Sequence, residues 1–114
     1  MDRPRLTSPS PLQDPTFTGL QNALINMLES AWRNYTNFGS DTAGYRGGMR
    51  TPELFVRWAQ LSAFTPLFEN GGDDDHTPWS FDTPGSTVIT DLYRALVAGH
   101  YELGPYLLAT GTAA

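Results

Sequence analysis

The 114-residue chain contains neither cysteine nor lysine. Without cysteine there is no disulfide framework, no thiolate nucleophile and no cysteine zinc site, and the redox compartment stays open. Without lysine, the cations are seven arginines (Arg3, Arg5, Arg33, Arg46, Arg50, Arg57, Arg94) set against twelve acidic residues. The formal charge of −5 gives no basic footprint, so neither nucleic acid nor an anionic membrane surface is expected as a partner. Long apolar runs are also missing; none approaches the roughly 18 residues that a membrane span needs. The N-terminus carries Arg3 and Arg5 but no apolar core, which excludes a secretory signal in this stretch.

What is present falls into segments. Residues 1–15 hold Pro4, Pro9, Pro11 and Pro15 with Ser8 and Ser10; such a composition cannot bury a core and reads as a disordered leader. From Phe17 to Asn34, Leu20, Ala23, Leu24, Met27, Leu28 and Ala31 recur at three- and four-residue steps, the spacing of a helix with one apolar face that Thr16 caps. Residues 35–40 read as a strand, its apolar part, 35–38, buried. It breaks at Gly39-Ser40 and delivers Asp41 into a loop with Gly44, Gly47 and Gly48.

Thr51-Pro52-Glu53 combines a hydroxyl cap, a proline at the first helical position and an acid in the first turn, which starts a helix. Leu54, Phe55, Trp58 and Leu61 are its apolar stripe. Residues 64–68 read as a second strand, irregular at Pro66. A polar loop over residues 69–85 leads to a last helix that begins at Ser86 or Thr87. Gly99, Gly104 and Pro105 predict a kink or break in it. Trp32, Trp58, Trp79 and the phenylalanines are expected in the core.

Helix, strand, helix, strand, helix is the alternation of an α/β fold with parallel strands and helical crossovers. A strand that ends in an acid and opens into a glycine-rich loop before a helix is how α/β barrels present side chains to ligand. Two strands and three helices, however, neither close a barrel nor cover a doubly wound sheet. Each helix keeps an apolar face without a neighbour, so the chain reads as a slice of a larger α/β domain.

Four motifs resemble glycoside hydrolase family 31, the α-glucosidase and α-xylosidase family. Gly39-Ser40-Asp41-Thr42-Ala43-Gly44-Tyr45 is similar to its Asp-x-x-Gly-aromatic motif. Glu53-Leu54-Phe55-Val56-Arg57-Trp58-Ala59-Gln60-Leu61-Ser62-Ala63-Phe64-Thr65-Pro66 resembles the helix and strand that follow. Pro78-Trp79-Ser80-Phe81 and Leu103-Gly104-Pro105-Tyr106-Leu107-Leu108 match later landmarks in the same order. Over residues 13–111 the resemblance implies the C-terminal part of a (β/α)8 barrel, a partial TIM barrel. Asp41 would lie on the seventh strand, and residues 64–68 would be the eighth.

The family's chemistry uses two carboxylates that flank an α-glycosidic bond, one a nucleophile and one a general acid/base. The nucleophile has no counterpart in this sequence. Aligned without gaps, the acid/base position falls on Leu12, which cannot donate a proton, and Asp14 is a poor substitute. By this reading the chain alone carries no catalytic group. Asp41 matches the aspartate at the floor of the substrate subsite, where a carboxylate accepts hydrogen bonds from sugar hydroxyls; read from the residue alone, it caps its loop or pairs with Arg46, Arg50 or Arg57. Tyr45 matches the aromatic that packs against the sugar, or it is loop packing. Where family members often carry arginine-asparagine-histidine after the eighth strand, this chain has Glu69-Asn70-Gly71. His76 could fill the histidine's place as a substrate contact; the alternative is a solvated loop histidine.

Other features point nowhere specific. Asp73-Asp74-Asp75 lacks the ligand spacing of a calcium loop and reads as a solvated turn. His76 and His100 are too isolated for a zinc site, and the sequon at Asn34-Tyr35-Thr36 lies at a junction that should be packed. The resemblance implies retaining hydrolysis of a terminal α-linked sugar with no cofactor and a carbohydrate substrate. The missing barrel portion or a homo-oligomer would cover the open faces. The alternative is a non-catalytic carbohydrate-binding or self-associating interaction protein.

Overall fold

The structure, a computed structural model, describes residues 13–113. Of the leader expected over residues 1–15, residues 1–12, Leu12 among them, lie outside the described residues. Gln13 and Pro15 are buried.

Helix α1 (Phe17–Trp32) begins where Thr16 accepts a hydrogen bond from the Gly19 amide at 2.9 Å. It stops two residues earlier than expected. Asn34 takes φ +71°, its amide donates to the Ala31 carbonyl, and the Tyr35 amide donates to the Ser30 carbonyl. That pair of bonds around a left-handed residue is a Schellman stop. Because it consumes Asn34 and Tyr35, strand β1 is only Gly39–Asp41. The buried strand expected from Tyr35 is therefore corrected: Tyr35 is 70% and Phe38 38% exposed.

Helix α2 (Pro52–Ser62) starts as expected, with the Thr51 hydroxyl accepting from the Leu54 amide at 3.1 Å. Its buried face is Leu54, Phe55, Trp58, Ala59 and Ser62. Strand β2 is Leu67–Glu69, three residues later than its expected start. Thr65 closes a turn there, its hydroxyl bonding both the Ser62 and Leu67 carbonyls, and Phe64 is left exposed. A short 3-10 turn, Pro78–Phe81, precedes α3 (Val88–Glu102), and α4 (Gly104–Ala113) follows the break at Leu103. Thr87 makes no side-chain cap for α3. Asp82 does that work from six residues upstream, accepting from the Ile89 and Thr90 amides and the Thr90 hydroxyl.

The two strands pair in parallel, with Gly39 opposite Leu67, Ser40 opposite Phe68 and Asp41 opposite Glu69. Trp58 ties α2 to β1 by donating its indole N–H to the Ser40 hydroxyl at 3.0 Å, and the Thr42 hydroxyl donates to Ser62 at 3.0 Å. The core gathers Ala23, Ala43, Leu54, Phe55 and Trp58, with Leu20, Met27, Phe81, Ile89 and Tyr93 against it. Phe55 stacks on Phe81 and Tyr93 at centroid distances of 4.6 and 5.2 Å. Of the three tryptophans only Trp58 is core; Trp32 is 62% and Trp79 66% exposed.

The molecule is a slab of 55 × 33 × 17 Å. Its accessible surface is 7583 Å², against about 6,200 Å² for a compact folded chain of this mass. Several large apolar side chains are open: Phe17, Leu28, Phe64, Val88, Tyr106 and Leu108 are more than half exposed. Among the described residues, none of α3 or α4 is buried, and no helix is long and apolar enough to cross a membrane.

Candidate functional site: the carboxyl ends of the parallel strands

Both strands end in a carboxylate. The paired register sets Asp41 beside Glu69, and the Thr42 amide donates to the Glu69 carbonyl at 2.8 Å, carrying the ladder one residue past β1. Two loops leave this end, residues 42–51 toward α2 and residues 70–77 toward the 3-10 turn. They are laced together. The Asp73 amide donates to the Tyr45 carbonyl at 2.8 Å, and Asp74 Oδ2 accepts from the Gly48 amide at 2.7 Å.

Arg50 braces the first loop from inside. The residue is only 7% exposed, and its guanidinium donates to the carbonyls of Ala43 at 2.9 Å, Gly44 at 3.1 Å, Arg46 at 2.7 Å and Gly48 at 3.2 Å. Gly44 has φ +81°, and a Cβ there would lie 2.7 Å from the Gln13 carbonyl oxygen. Glycine is required on both counts. The same Gln13 carbonyl accepts from the Tyr45 and Arg46 amides, so the segment before α1 docks directly on this loop.

Each candidate from the sequence can now be located. Asp41 is half-buried at the end of β1. None of the three arginines offered as its partner fills that role: Arg50 faces loop carbonyls, Arg46 approaches Asp14 at 3.7 Å, and Arg57 is exposed. Burial, followed by the charge and hydrogen bond of Glu69, pushes the Asp41 carboxyl above its usual range; His76 pulls in the opposite direction. Tyr45 is 40% exposed while its backbone is held on both sides. His76 is buried rather than solvated, its Nε2 2.8 Å from the Gly44 carbonyl and its Nδ1 3.2 Å from that of Asp74. Asp14 is exposed beside Arg46, and its backbone packs on Gly19 and Gly44. The acidic turn is structured: Asp75 accepts from the Thr77 amide and from the Thr77 and Ser80 hydroxyls. Among the described residues, no three histidine or acidic groups gather as metal ligands.

Two residues went unassigned in the sequence. Glu69 was visible only as the place where an expected arginine is absent, although it ends β2 as Asp41 ends β1. Arg50 reads from the sequence as an ion-pair partner for Asp41; its position just past three glycines signals instead a cation wrapped by loop carbonyls.

The family model described as the glycosyl hydrolases family 31 TIM-barrel domain matches residues 12–110. The chain belongs to glycosyl hydrolase family 31. A 1,6-alpha-glucosyltransferase of Sporosarcina globispora is 33% identical over 98 residues, which cover 80% of this chain and 7% of that protein. A 1,3-alpha-isomaltosidase of Kribbella flavida is 28% identical over 104 residues, 83% of this chain and 14% of the relative. The solved structure of an aspartate-to-alanine mutant of Kfla1895 in complex with isomaltose aligns at a TM-score of 0.80 and 27% identity, over 88% of this chain and 15% of that one. The chain therefore spans 15% or less of the length of each of these proteins.

Proposed function

We propose that this family 31 chain supplies one wall of the sugar pocket of a retaining α-glycosidase, with β1 and β2 as the seventh and eighth strands of its barrel. Asp41 accepts hydrogen bonds from hydroxyls of the α-linked sugar, and the exposed ring of Tyr45 packs against the sugar face. His76 serves the same pocket by holding the Gly44 carbonyl. The nucleophile has no counterpart in this sequence and the acid/base position falls on Leu12, so on this reading the chain alone carries no catalytic group. Carboxylates and water suffice for the reaction, and no cofactor is needed.

The observation that carries this reading is a half-buried carboxylate with no arginine partner among the described residues, at the carboxyl end of a parallel strand where such folds bind ligand. The test is a chimera of the Kribbella flavida 1,3-alpha-isomaltosidase in which residues 13–110 of this chain replace the matching segment. Asp41→Ala in that chimera should lower kcat/KM by about a hundredfold or more, corresponding to roughly 2.7 kcal/mol of transition-state binding. Equal activity of the two chimeras at equal thermal stability would refute the assignment.

A second reading, a self-associating or non-catalytic carbohydrate-binding protein, is favoured by the open apolar surface. Light scattering of the purified chain tests it: a mass that rises with concentration supports association, and a constant monomer mass opposes it.

A further inference from the structure

We propose that Asn34 is an acceptor for N-linked glycosylation, taking an oligosaccharide from a polyprenyl-diphosphate-linked donor. The assignment is independent of the sugar pocket at Asp41, which lies at the other end of β1.

Asn34-Tyr35-Thr36 has the spacing that such transfer requires, an asparagine followed two residues later by a hydroxyl with no proline between them. Of the five asparagines in the chain, only Asn34 has it. On sequence grounds the motif sits at a junction that should be packed, which would hide it. The structure shows the opposite. Helix α1 ends at Trp32, Asn34 turns at φ +71°, and every residue from 31 to 38 is exposed, Tyr35 to 70%. Asparagine tolerates this left-handed turn better than most residues, so the residue that stops the helix is also the one presented at its tip. Strand β1 begins only at Gly39, which leaves Tyr35 and Thr36 outside any helix or strand. A glycan is bulky and belongs on such a surface.

The surface beside Asn34 also has room for the attached sugar. A groove of about 540 Å³ runs past it, lined by Ser30, Tyr35, Thr36, Asn37 and Phe38, with Gly111 of α4 completing the wall. Asn37 lies against the bare Gly111 backbone, its side-chain oxygen 2.6 Å from where a Cβ would stand. The lining is uncharged, and hydroxyls and carboxamides alternate with two aromatic residues, a surface on which a neutral sugar can rest.

The step is a group transfer without redox change. The Asn34 carboxamide nitrogen attacks C1 of the donor's first sugar. A nitrogen–carbon bond forms, the bond from C1 to the diphosphate oxygen breaks, the nitrogen gives up one proton, and the lipid diphosphate leaves with the electron pair. Without cysteine, the chain has no thiol to mispair in an oxidising lumen where such donors are met.

The test is translation of the full chain, with a cleavable export signal appended, in the presence of microsomes that hold the transferase and its donor. The wild type should gain the mass of one glycan, and peptide N-glycosidase should remove it. Asn34→Gly, which keeps the left-handed turn, and Thr36→Ala should lose the whole shift, and Thr36→Ser should keep part of it. Signal cleavage reports entry, so a chain that loses its signal and stays unmodified overturns the proposal. Should the chain not enter, the same mass shift on the purified chain, given isolated transferase and donor, decides in its place. A second measurement reads the placement: the glycan-bearing chain should resist protease as well as Asn34→Gly does. Faster digestion of the glycan-bearing chain would mean that the turn is packed in the fold and would overturn the assignment.

Discussion

Arg50 offers the perturbation that separates shape from charge. Arg50→Lys keeps the cation but replaces a planar fork of five donors by a single point carrying three. The four carbonyls that Arg50 reaches belong to Ala43, Gly44, Arg46 and Gly48, and one ammonium cannot meet acceptors spread around a loop. Hydrogen bonds from a charged donor are worth about 1.5–3 kcal/mol each, but part of that loss is recovered by water, because residues 45–49 are exposed. Arg50→Lys should therefore cost about 2–3 kcal/mol and Arg50→Ala about 3–5 kcal/mol. The damage should concentrate in the loop. Ala43 is held at φ +67°, a conformation that costs an alanine about 1 kcal/mol and that the guanidinium bond to its carbonyl helps hold. Urea unfolding gives the magnitude, and hydrogen exchange of the amides at residues 44–48 gives the location. An Arg50→Lys variant within about 0.5 kcal/mol of wild type would show that charge alone suffices and refute the fork.

Three further outcomes are expected. Gly44→Ala combines φ +81° with a Cβ 2.7 Å from the Gln13 carbonyl oxygen, whereas Gly85→Ala has φ +79° and no atom within 4 Å. Both should cost about 1 kcal/mol in conformational strain, and denaturation should find Gly44→Ala the worse by a further 1 kcal/mol or more; equal losses would mean that the Gln13 segment yields. Asp41 has a folded-state affinity for protons raised above that of the unfolded chain, so its contribution to stability falls as pH rises from about 3.8 through its folded value. Asp41→Asn should thus gain stability relative to wild type as pH goes from 4 to 7, and a gap that stays constant or shrinks in thermal melts would count against the burial argument. Asp75 is drawn from 3.8 down to about 2 by the Ser80 and then the Thr77 hydrogen bonds. The stability it gives is present above the unfolded value and is lost as pH falls toward 2. Trp79 fluorescence should report loosening of the 3-10 turn across that window, and an Asp75→Asn variant with the same acid profile would rule this out.

How legible each part was depended on how local its cause is. Helix α2 was readable because Thr51, Pro52 and Glu53 act within one turn, and the structure uses them as read. The strands were misplaced because their ends are set by neighbouring stops. The Asn34 Schellman turn took Tyr35 from β1, and the shared hydrogen bond from the Thr65 hydroxyl to the Ser62 and Leu67 carbonyls delayed β2. The start of α3 was blurred because its cap, Asp82, reaches forward across the Pro84-Gly85 turn. Asp41 was visible from its glycine-rich context, but its neighbour was not. Pairing of Asp41 with Glu69 is a matter of register across 28 residues, which no local pattern encodes. The expectation of buried tryptophans failed at Trp32 and Trp79 for the reason that also left apolar faces open: a two-stranded sheet has too few neighbours to cover them.

The two ends of the strands differ in how much they depend on anything further. At the amino ends, Phe38 and Phe64 are exposed, and open grooves run past them, one lined by Asn34, Tyr35 and Gly111 and another by Ala95, Leu96 and Leu103. The second groove is mainly apolar, whereas the first mixes the polar Ser30, Asn34, Thr36 and Asn37 with Tyr35 and Phe38. At the carboxyl ends the order rests on polar bonds closed within the chain. Arg50 gathers four carbonyls, His76 spans Gly44 and Asp74, and Asp73 and Asp74 bind the backbone of Tyr45 and Gly48. Hydrogen bonds of this kind need no hydrophobic partner to form, so the loops that carry Asp41 and Tyr45 are shaped by contacts within the chain. On the proposed reading, docking against further barrel strands would bury apolar surface without reorganising these loops, and the free energy of assembly would not be drawn down by ordering them. It follows that a variant in the amino-end grooves, such as Phe64→Ser, should weaken assembly while leaving the carboxyl-end loop amides as protected from exchange as before. Loss of protection at residues 44–48 in that variant would mean instead that the site is shaped only by the assembled barrel.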